Sequence, residues 1–299
     1  MIITNSQQFQ TLKATLDKIT TDNLSQKETF QEFYDVGKMS DAYIDDLEVG
    51  GTTLAQEKPE GQPMALSRIV IGGTKRYWAR TIALAVGLSE ESLDDNKYSS
   101  KCLQPAKRLT ASVKKTREID AYSVINNSTN TAATGGFDNL ALASASHVIP
   151  AGGTYSNILT YLSPSVPAIV NARIAARKLP DPNGLAEGVE LKYLLCPLEQ
   201  EDIWKILLGT AQMPGGNWND KNPISGSGIK VISSKWMSQS STTQWGLVTD
   251  AENGLRWLDR KKPENRSWVD DSCTVMYHGI LYRCAFGWSN PRTWLQGNT

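Results

Sequence analysis

The stretch from residue 48 to residue 88, EVGGTTLAQEKPEGQPMALSRIVIGGTKRYWARTIALAVGL, narrows the folding options more than any other part of the chain. Gly-Gly occurs at 50–51 and again at 72–73, with Pro59, Glu60, Gly61 and Pro63 between them. Glycine reaches positive φ without steric cost and proline presets φ, so both pairs and the Pro-Glu-Gly sequence are turn chemistry. Leu66, Ile69 and Ile71 flank the middle. The pattern predicts a long two-stranded hairpin with a polar tip, then a strand over residues 77–86. Too few apolar residues occupy 50–75 to bury both faces, and an isolated hairpin is marginal in water. Such a ribbon must lie on another molecule.

The first residues pose the same problem. Phe9, Leu12, Leu16 and Ile19 recur at helical spacing and make one narrow apolar stripe. That stripe alone does not offset the entropy of ordering the segment, which needs a surface in its own chain or a neighbour's. Phe30, Phe33 and Tyr34 follow as a more adhesive patch. Beyond the ribbon, Ser89 before Glu90 and Glu91 reads as a helix start, with Asp94 and Asp95 in the same acidic run. Pro105 fits the first turn of a second helix reaching Asn127, about 35 Å long, lined by Ala106, Leu109, Val113, Ala121, Val124 and Ile125. Residues 154–178 read as a helical region, with Ile169, Ala172, Ile174 and Ala176 partly periodic. A buried strand is expected over 191–198, and an amphipathic helix over 199–210 with Ile203, Ile206 and Leu207 inward. Further strands are expected over 229–232 and 245–250. Residues 273–277 and 280–286 read as a strand pair joined at His278-Gly279. The class is α+β.

Composition removes several functions. Lys plus Arg total 31 and Asp plus Glu total 31, so the chain has no basic excess for gripping phosphates, and any nucleic-acid contact should be weak and non-specific. The basic runs Lys114, Lys115, Arg117 and Arg260, Lys261, Lys262 read as solvated faces or subunit contacts. No secretory signal and no membrane-length apolar run is visible. Cys102, Cys196, Cys273 and Cys284 match no metal or redox spacing, which suggests no metal or cofactor. Cys196 and Cys284 read as small buried hydrophobes, and a Cys273–Cys284 disulfide is left open. The two histidines, His147 and His278, stand in no metal motif, and His278 reads as a turn residue. His147 with Asp138 and Ser144 or Ser146 could form a hydrolytic set, but no G-x-S-x-G elbow accompanies it. The acids at 90–95 read as helix-start residues, and the nine Trp as core and interface anchors. The reading is a non-enzymatic assembly protein.

Four blocks carry a resemblance to a family. The ribbon and the following SEESLDDNKYSS, with Ser89, Glu91, Asp94 and Asp95, look like an extended loop, a strand and the start of a spine helix. Residues 103–127 follow as that helix. The passage from YLLCPLEQEDIWKILLGT to NDKNPISGSGIKVISSKWM, and the closing WGLVTDAENGLRWLDR and LYRCAFGWSNPRTWL with Arg283 and Gly287, complete the order. The chain resembles tailed-bacteriophage major capsid proteins with the Hong Kong 97-type fold, especially the Mu-like major head subunit branch, over residues 30–299. The resemblance implies an N-terminal arm (1–45), an extended β-hairpin loop (46–82), a peripheral domain with the spine helix (83–150 and 241–285) and an axial domain (151–240 and 286–299). It also implies pentamers and hexamers in an icosahedral virion shell around double-stranded DNA, assembled in the host cytoplasm. Scaffolding, portal and decoration proteins would be partners, contact with packaged DNA would be non-specific, and no membrane would be involved. Loop charges Glu57, Lys58, Arg68, Lys75 and Arg76 would fix register between subunits. An encapsulin-like nanocompartment shell and, remotely, a hydrolase using His147 are the competing readings.

Overall fold

The computed structural model describes residues 5–24, 26–67, 69–89, 103–160, 163–213, 220–270 and 275–298. The expected acidic helix start at 90–95, Arg68, Cys102 and Cys273 lie outside these residues, as do the side chains of Phe9, Leu12 and Ala106. In chain order the elements are α1 (Asn5–Leu24), β1 (Asp35–Lys38), β2 (Tyr43–Val49), β3 (Ile71–Trp78), β4 (Arg80–Ser89) and α2 (Leu103–Asn126). Then come β5 (His147–Val148), β6 (Thr154–Tyr155), α3 (Val166–Lys178), β7 (Leu191–Pro197), α4 (Glu201–Gly209), β8 (Lys230–Ser234) and α5 (Lys235–Ser240). β9 (Trp245–Thr249), β10 (Leu255–Asp270), β11 (Val275–Trp288) and β12 (Trp294–Asn298) close the chain. One sheet has the order β1-β10-β11-β4 and the other β12-β9-β7-β8, while β2 pairs with β3 and β5 with β6.

There are two cores, and the second sheet borders both: Leu195, Ile232, Val248 and Trp294 enter the first, and Leu194, Cys196, Trp245, Leu247 and Leu295 the second. Long α2 crosses the first sheet and buries Leu109, Val113, Ala121 and Ile125 against Trp257, Ile280 and Tyr282. Pro105 sits in its first turn, where an amide would lack an intrahelical acceptor anyway, so the helix is unbroken. The second core joins α3 and α4 to the other sheet around Trp204 and Trp245, whose ring centroids are 4.8 Å apart.

Several expectations change. The helix expected over 154–178 starts only at Val166. Ser165 Oγ accepts from the Ala168 amide at 3.3 Å, Pro167 occupies the first turn, and residues 154–155 are strand instead. On α4 the inward residue is Trp204, with Leu207 and Leu208 beside it, whereas Ile203 and Ile206 are 48% and 54% exposed. The larger indole takes the single face that the sheet offers. β11 runs unbroken through His278-Gly279, so His278 is no turn residue. Its ring is buried with Nδ1 2.9 Å from Ser267 Oγ, and β11 pairs antiparallel with β10, Asp270 standing opposite Val275.

The adhesive patch also belongs to the chain itself. Phe30, Phe33 and Tyr34 are buried in the first core, and Tyr34 donates to the Ala121 carbonyl at 2.9 Å. The second half of α1 docks on α2 and β10 through Leu16 and Thr20, with Asn265 Nδ2 donating to the Asp17 carbonyl at 3.2 Å. This part of the arm therefore needs no neighbour. Arg117, expected on a solvated face, is buried. Its Nε donates to both Glu28 carboxylate oxygens and its Nη1 lies 3.3 Å from Asp259. The guanidinium also stands over the rings of Phe30, Trp257 and Tyr282, which gives a flat cation an apolar bed.

Candidate assembly surfaces

The ribbon is built with its polar face inward. Strand β2 alternates, and its buried residues are Asp46 and Glu48, while Leu47 and Val49 point to solvent. Acids can be buried here because the body supplies cations. Asp46 pairs with Arg256 and accepts from Ser289 Oγ at 2.8 Å, and Glu48 pairs with Arg292 at 2.9 Å. Tyr77 Oη lies 2.6 Å from Ser289 Oγ, and burial pushes that phenol above its ordinary range. Gly73 is required because a Cβ there would stand 1.9 Å from the Phe137 carbonyl oxygen. Asn183 Nδ2 also donates to the Gly51 carbonyl at 2.6 Å. These contacts clamp the base of the ribbon to the second half of the chain.

The outward face of the same two strands is largely apolar, interrupted by the Asp45–Arg76 pair. Tyr43 stands opposite Trp78, and Val49 opposite Ile71. The Tyr43 and Trp78 rings lie 5.2 Å apart, with the Arg76 guanidinium over both. Arg76 also makes a bidentate pair with Asp45, at 2.6 and 2.7 Å, which holds the Asp45 carboxyl below the usual carboxylate range. So Arg76 is engaged inside the ribbon. Lys75 lies on the inward face, where burial lowers its pKa. Glu57 and Lys58 stay exposed.

Beyond the base, residues 51–67 leave the body as an extended loop. Leu54, Met64 and Leu66 are 71%, 78% and 95% exposed. The expected two-stranded pairing stops at Val49 and Ile71. Past it, Gly50 N donates to the Val70 carbonyl at 2.7 Å and Thr53 N to Ser67 Oγ at 2.9 Å. Further exposed apolar side chains occur elsewhere: Ile203 and Ile206 on α4, and Trp268, stacked on Tyr277 at 5.3 Å, near the far end of β10.

Catalytic alternatives find little in this geometry. His147 Nδ1 lies 2.6 Å from Asp138 Oδ2, which joins two members of the hydrolytic set. The ring is fully buried, its Nε2 has no hydrogen-bond partner among the described residues, and Ser144 Oγ instead accepts from the Ser146 amide. Among the described residues no nucleophile stands on the base. Cys196 and Cys284 are buried free thiols. Among the described residues no group of three His, Cys, Asp or Glu side chains is arranged to hold a metal, and no helix is long and apolar enough to cross a membrane.

Sequence reasoning missed the clamp residues Asp46, Glu48, Arg256, Ser289 and Arg292. The available signal was two acids at alternate positions of a strand, but their partners stand more than 200 positions away.

Comparison with known proteins agrees with this reading. The family described as "Phage capsid protein" matches residues 77–294. No curated protein matches. Among solved structures, one from Microbacterium phage Oxtober96 is similar at a TM-score of 0.57 and 9% identity, over 91% of each chain. The capsid of the cyanophage P-SCSP1u gives 0.57 and 11%, over 92% of this chain and 90% of that one. A virus-like particle from Pyrococcus furiosus gives 0.55 and 10%, over 94% and 96%. At such identities the likeness is one of fold.

Proposed function

We propose, from the premise that this chain belongs to the phage capsid protein family and has the Hong Kong 97-type fold, that the outward apolar face of its ribbon is covered by sister subunits. The chain is a shell-forming major capsid protein. Its copies gather as pentamers and hexamers into an icosahedral virion shell that encloses the double-stranded DNA of a tailed phage and is assembled in the host cytoplasm. Scaffolding, portal and decoration proteins are further partners. The role is structural and not catalytic. A nanocompartment shell shares the fold, but the match to the phage capsid family favours the phage shell.

One observation carries the ribbon's role: Asp46 and Glu48 turn inward to cations of its own body while Leu47, Val49, Ile71 and Trp78 face solvent. A monomer gains nothing from that arrangement, whereas a shell gains many modest contacts that add by avidity. The second core, drawn from residues 159–224 with Trp245, Leu247 and Leu295, supports an axial domain (151–240 and 286–299) beside the arm (1–45), the loop (46–82) and the peripheral domain (83–150 and 241–285). The pairing of β9 with β7 and β12 supports counting residues 245–249 with the axial part.

Excision tests the reading. Thr53 and Ser67 are hydrogen-bonded neighbours, so replacing residues 54–66 by a short Gly-Ser linker leaves the clamp intact. This cut is preferable to deletion of 52–74, which would also remove Ile71 and Gly73. The variant is expected to be soluble and folded, with no closed shells in negative-stain micrographs. Normal shells would overturn the loop's role, and a parent chain that never assembles would overturn the capsid reading.

A further inference from the structure

We infer that the solvent face of α2 is a phosphate-contact surface for duplex DNA, and so faces the interior of the shell. This rests on the capsid reading above. Residues 103–117 contain Lys107, Arg108, Lys114, Lys115 and Arg117 and no carboxylate, although the whole chain has zero net charge. Positive charge is therefore concentrated here. Arg117 points inward to Glu28 and Asp259 and is neutralised. The other four make no ion pair among the described residues. Lys114 only donates to the amide oxygen of Gln26.

Helix geometry arranges these four cations. Seven residues are close to two turns, so Lys107 stands in line with Lys114, and Arg108 with Lys115, each pair about 10.5 Å apart along the axis. Gln104 and Ala111, both exposed, lie between the two rows. The result is two ranks of long cationic side chains flanking a strip of modest side chains. The first carboxylate on this side, Glu118, is occupied by Thr29 Oγ1 and Trp236 Nε1.

A surface whose cations are unpaired among the described residues, and which has no acceptor pattern, is complementary to a regular polyanion. Duplex DNA presents one negative charge per about 1.7 Å of axis, and binding through phosphates alone carries no sequence information. That suits a shell protein, which must tolerate every part of a genome. An acidic protein segment would also meet the charge, but would need apolar anchors for specificity, and exposed Ile119 is the only large apolar side chain on the described solvent side of the helix.

The test uses the full-length subunit and a labelled 20-base-pair duplex, with fluorescence anisotropy at 50 and 200 mM salt. Neutralising about four phosphates predicts that the parent's affinity falls by about 10²-fold across that range, equally for unrelated sequences. The K107Q/R108Q/K114Q/K115Q variant should lose that salt dependence and bind at least tenfold more weakly at 50 mM. Replacing the three lysines by arginine should preserve both. Shell formation, scored separately by electron microscopy, should survive in all three proteins. A glutamine variant that binds duplex like the parent overturns the proposal. So does a parent that binds polyglutamate but not duplex. In either case intact shells would leave the capsid reading standing.

Discussion

Buried charge does more in this protein than its neutral composition suggests. Arg117 joins Glu28, just after the arm helix, to Asp259 on the first sheet. Burial outweighs the attraction of Arg117 and keeps the Glu28 carboxyl above its ordinary range. Arg117→Met would leave two acids buried without their cation, at a cost of about 3–5 kcal/mol, read as a lower urea midpoint. The sign with pH follows. A carboxyl whose folded-state pKa exceeds its unfolded one costs stability at neutral pH and regains it as pH falls through the folded value. The variant's deficit should therefore shrink on acidification, and a deficit that grows would refute the assignment. The thiols give a second check. Burial pushes Cys196 and Cys284 up to about 12, so neither holds appreciable thiolate at pH 8. Iodoacetamide should modify these two only after unfolding, as peptide mass spectrometry would reveal.

Elements differ in how openly they announce themselves. Helix α2 was legible because Leu109, Val113 and Ile125 repeat at its period, and the body of α3 because Ile169, Ala172 and Ala176 do, though its start after the Ser165 cap was not. Strand β2 was legible as a strand but not in its facing. Alternation identifies two faces, and ordinary burial rules choose the apolar one for the core. Here the rule inverts, because Arg256 and Arg292 await Asp46 and Glu48. A prediction follows from that inversion. Ile71→Ser removes an outward side chain that touches little in the monomer, so the thermal midpoint should stay within the range of a surface change, about 0.5 kcal/mol. Assembly should need several-fold higher subunit concentration, as light scattering would measure. A large loss of monomer stability would mean that Ile71 packs on its own body.

The molecule as a whole is two cores sharing one chain, with the ribbon clamped where both halves meet: Asp46 to Arg256 on the first sheet, Glu48 to Arg292 beside the second. A lever held at its base by charge, with a free apolar face, can transmit small changes in angle to neighbouring subunits. The buried phenols set an alkaline limit on this body. Tyr34, Tyr77, Tyr122, Tyr155 and Tyr282 all have pKa values raised above 10.0, chiefly by desolvation. A group whose folded pKa is raised contributes stability below its unfolded pKa and loses it as pH rises. Stability should therefore fall steeply above pH 10, with tyrosinate absorbance appearing together with unfolding. Gradual ionisation of all the tyrosines without unfolding would contradict the burial described.

Local pattern alone determined the spine helix, the short buried strands and the outstretched loop. Each of these depends on the preferences of residues a few positions apart. Tertiary structure decided which face of the ribbon turns inward, that Trp204 and not Ile203 enters the core, that His278 lies within a strand, and that the arm's aromatic patch stays at home. Those outcomes depend on partners distant in sequence. A charge or an indole is buried only where the fold brings the group that offsets its desolvation or matches its shape, and no window of neighbouring residues contains that group.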